Sequence, residues 1–146
     1  MTHLISIHSD GASRGNPGEA GAGIVVEADK KHYLAVYLGN KTNNEAEYLA
    51  VLSSLLQLPQ LFTIDVKKQP LTSLEVNYYL DSKLVVEQLS GRWKIKDSRM
   101  KQMAEKCHSQ IKKLGLNVSF LHVPREENTE ADHLANLAIE MGSSIV

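Results

Sequence analysis

Cysteine is nearly absent from this 146-residue chain: Cys107 stands alone, so no intrachain disulfide, no C-x-x-C pair and no cysteine-rich zinc set can form. That scarcity fits a reducing cytosol. The six histidines contain no H-E-x-x-H or similar ligand pair, which removes the common zinc hydrolase patterns. Long apolar runs are missing too. No stretch approaches the roughly 18 residues of a membrane span, and the opening M-T-H-L-I-S-I-H-S-D is too short an apolar run for a signal peptide. A cytoplasmic protein with no membrane partner is expected. There is also no excess of positive charge: 16 Lys and Arg stand against 17 Asp and Glu. A nonspecific duplex binder normally shows a large positive surplus, so any contact with nucleic acid must rest on a local basic patch.

No repeat, low-complexity tract or linker divides the chain, and its length suits one domain, 1–146, with a core of its own. The 42% hydrophobic and 23% charged residues match a globular protein. Three β-rich runs come first, Leu4–Ser9, Ala22–Ala28 and His32–Leu38, separated by a Gly-rich turn and a charged segment, and read as an antiparallel meander. N-N-E-A-E-Y-L-A-V-L-S-S-L-L-Q-L at Asn43–Leu58 is helical, with Thr42 as N-cap, Glu45 three residues on, and Pro59 as the stop. Phe62–Val66 admits a short strand and Lys67–Pro70 a loop, and this segment stays open. Leu74–Leu80 reads as a strand running into a short helix, Ser82–Leu89. A helix over Asp97–Leu114, a strand at Asn117–Val123, a loop at Pro124–Asn128 and a helix from Thr129 to about Met141 complete the order βββαβααβα. A meander followed by β–α alternation predicts an α/β fold, a mixed sheet with helices on its faces.

Asp10 ends the first predicted strand and Asp81 the fourth. If those strands are parallel neighbours, both carboxylates emerge at the carboxyl edge of the sheet, where ligands of open α/β sheets bind. Like charges held that close repel and disturb each other's protonation unless a cation lies between them. Magnesium suits such a site because it takes hard oxygen ligands and keeps several waters. Each acid also has a plain structural explanation. Asp81 would cap the following helix, Asp132 would complete a capping box with Thr129, Glu47 would be a solvated helix residue, and Asp10 would stabilise a turn.

The wording around all four acids tips the balance. D-G-A-S-R-G-N-P-G at Asp10–Gly18, T-N-N-E-A-E-Y at Thr42–Tyr48, D-S-K at Asp81–Lys83 and A-D-x-L-A at Ala131–Ala135 occur in order across nearly the whole chain. Together they closely resemble type 1 ribonuclease H. The resemblance implies a ribonuclease H-like fold, a five-stranded mixed sheet in the order 3-2-1-4-5 with helices on both faces. It places Asp10, Glu47, Asp81 and Asp132 on the metal-binding, catalytic positions. It further implies an endonuclease that hydrolyses the RNA strand of RNA–DNA hybrids with two Mg2+ ions (Mn2+ as a substitute), leaving 5′-phosphate and 3′-hydroxyl ends, and acting as a monomer. Gly11, Ala12, Asn16, Asn43 and Asn44 match positions that contact the hybrid, and Thr42 matches a DNA-phosphate contact.

Three features depart from the best-known members. Where those carry a flexible-loop histidine before the fourth carboxylate, V-P-R-E-E-N-T-E-A-D offers Arg125 instead, as in a shorter, archaeal-like branch. A separate helical basic handle is missing, leaving G-R-W-K-I-K-D at Gly91–Asp97, and the 59–72 connection is long. The local basic patch lies in that region: eight Lys or Arg between Arg92 and Lys113 face only Asp97 and Glu105. Arg92, Trp93, Lys94 and Lys96 are its candidate substrate contacts, phosphate-tracking cations beside an aromatic platform. The helix beyond Met100 is as readily a solvated face. His133 points about 100° away from Asp132 along a helix and is not a joint ligand. His8 reads as a packed strand residue, and Cys107 as inert packing. The rivals to a hydrolase are a hybrid-binding domain of the same fold without turnover, and a transposase-like phosphoryl transferase acting on DNA.

Overall fold

The computed structural model describes residues 3–62 and 74–145. Its elements are β1 (His3–Gly15), β2 (Gly18–Glu27), β3 (Lys31–Lys41), α1 (Asn43–Phe62), β4 (Leu74–Leu80), α2 (Lys83–Leu89), α3 (Ser98–Leu114), β5 (Asn117–His122), a 3-10 turn (Arg125–Glu127) and α4 (Thr129–Met141). This is the expected element order, and the five strands assemble as β3-β2-β1-β4-β5. β1, β2 and β3 form the antiparallel meander, while β4 runs parallel to β1 and β5 parallel to β4.

Strand alternation decides which face each helix covers. Ile5 and Ile7 of β1 and Val76, Tyr78 and Leu80 of β4 pack with Leu55 and Leu58 of α1 and with Ala104 and Cys107 of α3 in one apolar core. The two tyrosines in it are satisfied: Tyr48 donates to Gln88 Oε1 at 2.6 Å, and Tyr78 pairs with Ser54. The opposite face is shaped by two glycines of β2. A Cβ on Gly23 would enter the Ala131 carbonyl, and one on Gly21 the Ala135 carbonyl. Their bare Cα atoms let α4 lie directly on the sheet, and α4 meets them with small buried residues, Ala131, Ala135 and Ala138. Asp10 pairs with Gly23 in the ladder, so this close seat also brings the first turn of α4 toward Asp10.

Several sequence expectations are corrected. β1 does not end at Asp10; the Gly-rich stretch continues as strand to Gly15, and only the Gly15–Gly18 connection turns. The small residues after Asp10 are compatible with a ladder because β2 supplies Gly and Ala opposite them. Pro59 does not stop α1, which runs on to Phe62. Proline forfeits one helical hydrogen bond near the end of the helix, while buried Leu58 and the half-buried Leu61 and Phe62 hold the last turn on the core. Pro124–Asn128 contains the 3-10 turn rather than plain loop. The strand considered at 62–66 begins on Phe62, which closes α1; residues 63–66 and the loop at 67–70 lie outside the described residues. No helix among the described residues is long and apolar enough to cross a membrane.

Candidate active site

The parallel β1–β4 ladder ends at His8 opposite Tyr79, and two residues further along each chain segment stand Asp10, still in β1, and Asp81, one residue past β4. Both therefore stand just past the end of the parallel ladder. Glu47 comes from the start of α1, whose position is fixed by a reciprocal capping box: Glu45 N–H donates to Thr42 Oγ1 at 3.1 Å and Thr42 N–H to Glu45 Oε1 at 3.0 Å. The Asn43 N–H also donates to Asn16 Oδ1 at 3.0 Å, tying α1 to the β1–β2 hairpin. Gly11 completes the approach, because its missing side chain leaves room for the Ala46–Glu47 peptide.

Carboxylate atoms of Asp10, Glu47 and Asp81 consequently lie within 4.8 Å of one another. Asp10 is 5% exposed and Glu47 8%. Burial, reinforced by Asp81 and Asp132 nearby, pushes the Asp10 carboxyl up to about 7 against a lowering contact from Glu47. Burial, then the charge of Asp10, holds Glu47 well above the usual carboxylate range, against a smaller lowering influence of the Gly11 backbone. Glu47 Oε2 and Asp81 Oδ2 are buried with no hydrogen-bond partner. Two buried acids and one half-buried one, with unsatisfied hard oxygens on Glu47 and Asp81, form a donor set that fits a divalent cation of the magnesium type.

Asp132 approaches from the first turn of α4 and bears on Asp10, but it lies outside the tight trio. Asn136 Nδ2 donates to the Asp132 carbonyl at 3.0 Å and to its Oδ1 at 3.4 Å. The capping box expected between Thr129 and Asp132 does not form: Asn128 is the N-cap, and Asp132 N–H donates to the Asn128 carbonyl at 3.1 Å. Asp81 likewise does not cap α2, since Ser82 does so through Val85 N–H. Arg125 is exposed on the 3-10 turn, with no ion pair to the carboxylates among the described residues.

Of the expected substrate contacts, Asn16, Asn43 and Asn44 are exposed beside the site, Gly11 and Ala12 lie on β1, and Thr42 is engaged in the capping box. Lys94 and Lys96 are exposed, whereas Arg92 pairs with Glu87 at 2.5 Å. Trp93 is 45% exposed, and Lys83 Nζ lies 5.9 Å from the centre of its ring. His8 stacks on Tyr79 at 4.8 Å, and burial pushes the Cys107 thiol up to about 12, in keeping with inert packing. Sequence reasoning overlooked Lys83, Asn128, Asn136 and His122, whose Nε2 lies 3.3 Å from the Asp81 carbonyl. Lys83 was visible within D-S-K, and Asn136 stands one helical turn from Asp132; nothing local marks Asn128 or His122.

Comparison with known proteins agrees with this geometry. A family model described as reverse transcriptase-like matches residues 8–138. A bifunctional protein of Mycobacterium tuberculosis is 41% identical over 143 residues, covering 93% of this chain and 35% of that protein, so the chain spans about a third of that relative's length. Ribonuclease HI of Halobacterium salinarum is 32% identical over 139 residues, covering 93% of this chain and 64% of its own. Among solved structures, the LC11 ribonuclease H1 in complex with an RNA/DNA hybrid superposes with a TM-score of 0.86 at 35% identity, covering 94% of this chain and 98% of that one. Ribonuclease H1 of Halobacterium salinarum gives 0.79 at 31% identity, covering 94% and 98%. On these matches, and on the sheet order and carboxylate cluster beneath them, the chain belongs to the reverse transcriptase-like family as a domain of the type 1 ribonuclease H class.

Proposed function

We propose that this chain is an endoribonuclease that hydrolyses the RNA strand of RNA–DNA hybrids, leaving 5′-phosphate and 3′-hydroxyl ends. The observation that carries the reading is the close trio of buried Asp10 and Glu47 with half-buried Asp81, two of whose carboxylate oxygens are unpartnered, just past the end of the parallel β1–β4 ladder. A binding module without turnover has no use for acids this costly to gather. The hybrid bound to LC11 supports the choice of substrate.

Asp10, Glu47 and Asp81, joined by Asp132, would hold two divalent ions, Mg2+ or Mn2+. Bound there, such ions supply Lewis-acid stabilisation of the phosphoryl oxygens and an acidified water. The chain's own part is positioning. Asn16, Asn43 and Asn44, with the backbone of Gly11 and Ala12, orient the RNA strand and read its 2′-hydroxyls, which only RNA carries. Thr42 contacts the DNA phosphates. Trp93 offers a stacking surface, and Arg92, Lys94 and Lys96 follow the DNA backbone electrostatically. Arg125 is permanently charged, so its role is to hold the scissile or departing phosphate and not to move a proton. The same reading makes 1–146 a single domain, active as a cytoplasmic monomer.

One assay tests it: labelled RNA–DNA hybrid, double-stranded RNA and double-stranded DNA, each with and without Mg2+. Magnesium-dependent cutting of the RNA strand of the hybrid is the expected result. Binding without cleavage favours the inactive module, and cleavage of the DNA duplex favours the transposase-like alternative.

A further inference from the structure

Asn128 occupies the N-cap of α4, where an asparagine side chain ordinarily accepts a hydrogen bond from the first turn. It makes no such bond. Its Nδ2 instead donates to the carbonyl of Ser9 at 3.0 Å, 119 residues away in the chain. Ser9 immediately precedes Asp10. The main-chain carbonyl of Asn128 accepts the N–H of Asp132 at 3.1 Å. A single residue thus grips the backbone on both sides of the site, next to Asp10 on β1 and at Asp132 on α4.

The arrangement carries a cost. Asn128 is 1% exposed, and its Oδ1 is buried with no partner. A buried amide with one end unsatisfied is uncommon in native interiors. Solvent-exposed capping by the same residue would have avoided it.

We propose that Asn128 is a positioning residue that sets the separation of Asp10 and Asp132 through its side-chain amide. The proposal rests on the hydrolase reading above. Asp132 is the one acid of the four that lies outside the tight trio, so its distance from Asp10 depends on how α4 is anchored. The glycines of β2 set the height of α4 over the sheet, and Asn128 fixes its advance along β1.

Asn128→Asp is the informative variant, because aspartate caps helices as well as asparagine does but, ionised, cannot donate to the Ser9 carbonyl. A role in capping alone predicts unchanged behaviour. The clamp predicts a folded protein whose affinity for Mn2+, titrated calorimetrically without nucleic acid, falls by about 10-fold or more, as for other residues that orient metal ligands. Hybrid cleavage should show kcat lowered by about 10–100-fold, with KM for the hybrid little changed. In an Asp132→Asn background the further loss from Asn128→Asp should shrink to under about twofold, since both act on one spacing. Should Asn128→Asp fail to fold, Asn128→Ser, which keeps a cap oxygen but no amide donor, carries the same test. Wild-type Mn2+ affinity and kcat in the folded variant, or effects that multiply with Asp132→Asn, would overturn the clamp. If the wild-type chain cleaves no hybrid, the hydrolase reading fails, and the Mn2+ titration still decides the clamp.

Discussion

Gly11 of β1 lies against the peptide joining Ala46 to Glu47. That contact places an acid of α1 beside an acid of β1, and it leaves no space for a methyl group. Gly11→Ala should therefore destabilise the fold by about 1–3 kcal/mol through forced backbone movement. Cleavage should fall by more than about 10-fold as Glu47 is displaced from Asp10. Denaturant midpoints and hybrid kinetics read both effects; wild-type values in each would refute the close approach.

Asp10→Asn, Glu47→Gln and Asp81→Asn each remove a charge with little change in volume. Each should lower hybrid cleavage by more than about 10²-fold while preserving the fold. Thermal melts should show equal or greater stability without metal, because the like-charge repulsion is relieved. A variant that keeps near wild-type turnover at saturating Mg2+ would remove that residue from the catalytic set.

Proton binding gives the site a signature in stability. The Asp10 pKa is about 7 in the folded chain against 3.8 for the free carboxyl, so the folded state holds the proton more tightly. The stability this group contributes is complete below about pH 4 and is lost as pH rises through 7. In chelator, unfolding free energy should decline over that window in the wild type and decline less in Asp10→Asn. Because protons and divalent ions compete for the same oxygens, the Mg2+ concentration for half-maximal activity should fall from pH 6 to pH 8. Identical stability slopes in the two proteins would contradict the assignment.

A hybrid whose RNA strand is 2′-deoxy around the cut should resist cleavage, since the groups near Gly11, Asn16 and Asn43 lose the hydroxyl they read. Binding should persist because phosphate contacts supply most of the nonspecific affinity. Efficient cutting of that duplex would count against hybrid specificity.

Arg125 should assist turnover without being indispensable. Loss of one preorganised cationic donor costs about 10²–10³ in rate, and an exposed turn should keep the effect near the lower end. Arg125→Ala should lower kcat, with partial recovery in Arg125→Lys. Unchanged kcat in both would reduce Arg125 to a surface charge, of a kind that contributes under about 1 kcal/mol.

The sequence by itself determined the order of elements, because strand alternation, helical periodicity and caps such as Thr42 with Glu45 are local. It also marked Asp10, Glu47, Asp81 and Asp132, because the motif wording around each is contiguous. Propensity misled where tertiary contacts outweigh it: Pro59 continues a helix held by Leu58 on the core, and β1 runs past Asp10 because β2 pairs with the glycine-rich stretch. What only the tertiary structure decided was distance. Asp10 and Glu47 meet because Gly11 lacks a side chain at the crossing of β1 and α1. Asp132 reaches Asp10 because Gly21 and Gly23 admit α4, and because Asn128 turns its amide from its own helix toward Ser9. Such relations join residues far apart in the chain, and no local pattern can encode them; they exist only once the sheet and its two covering layers have packed.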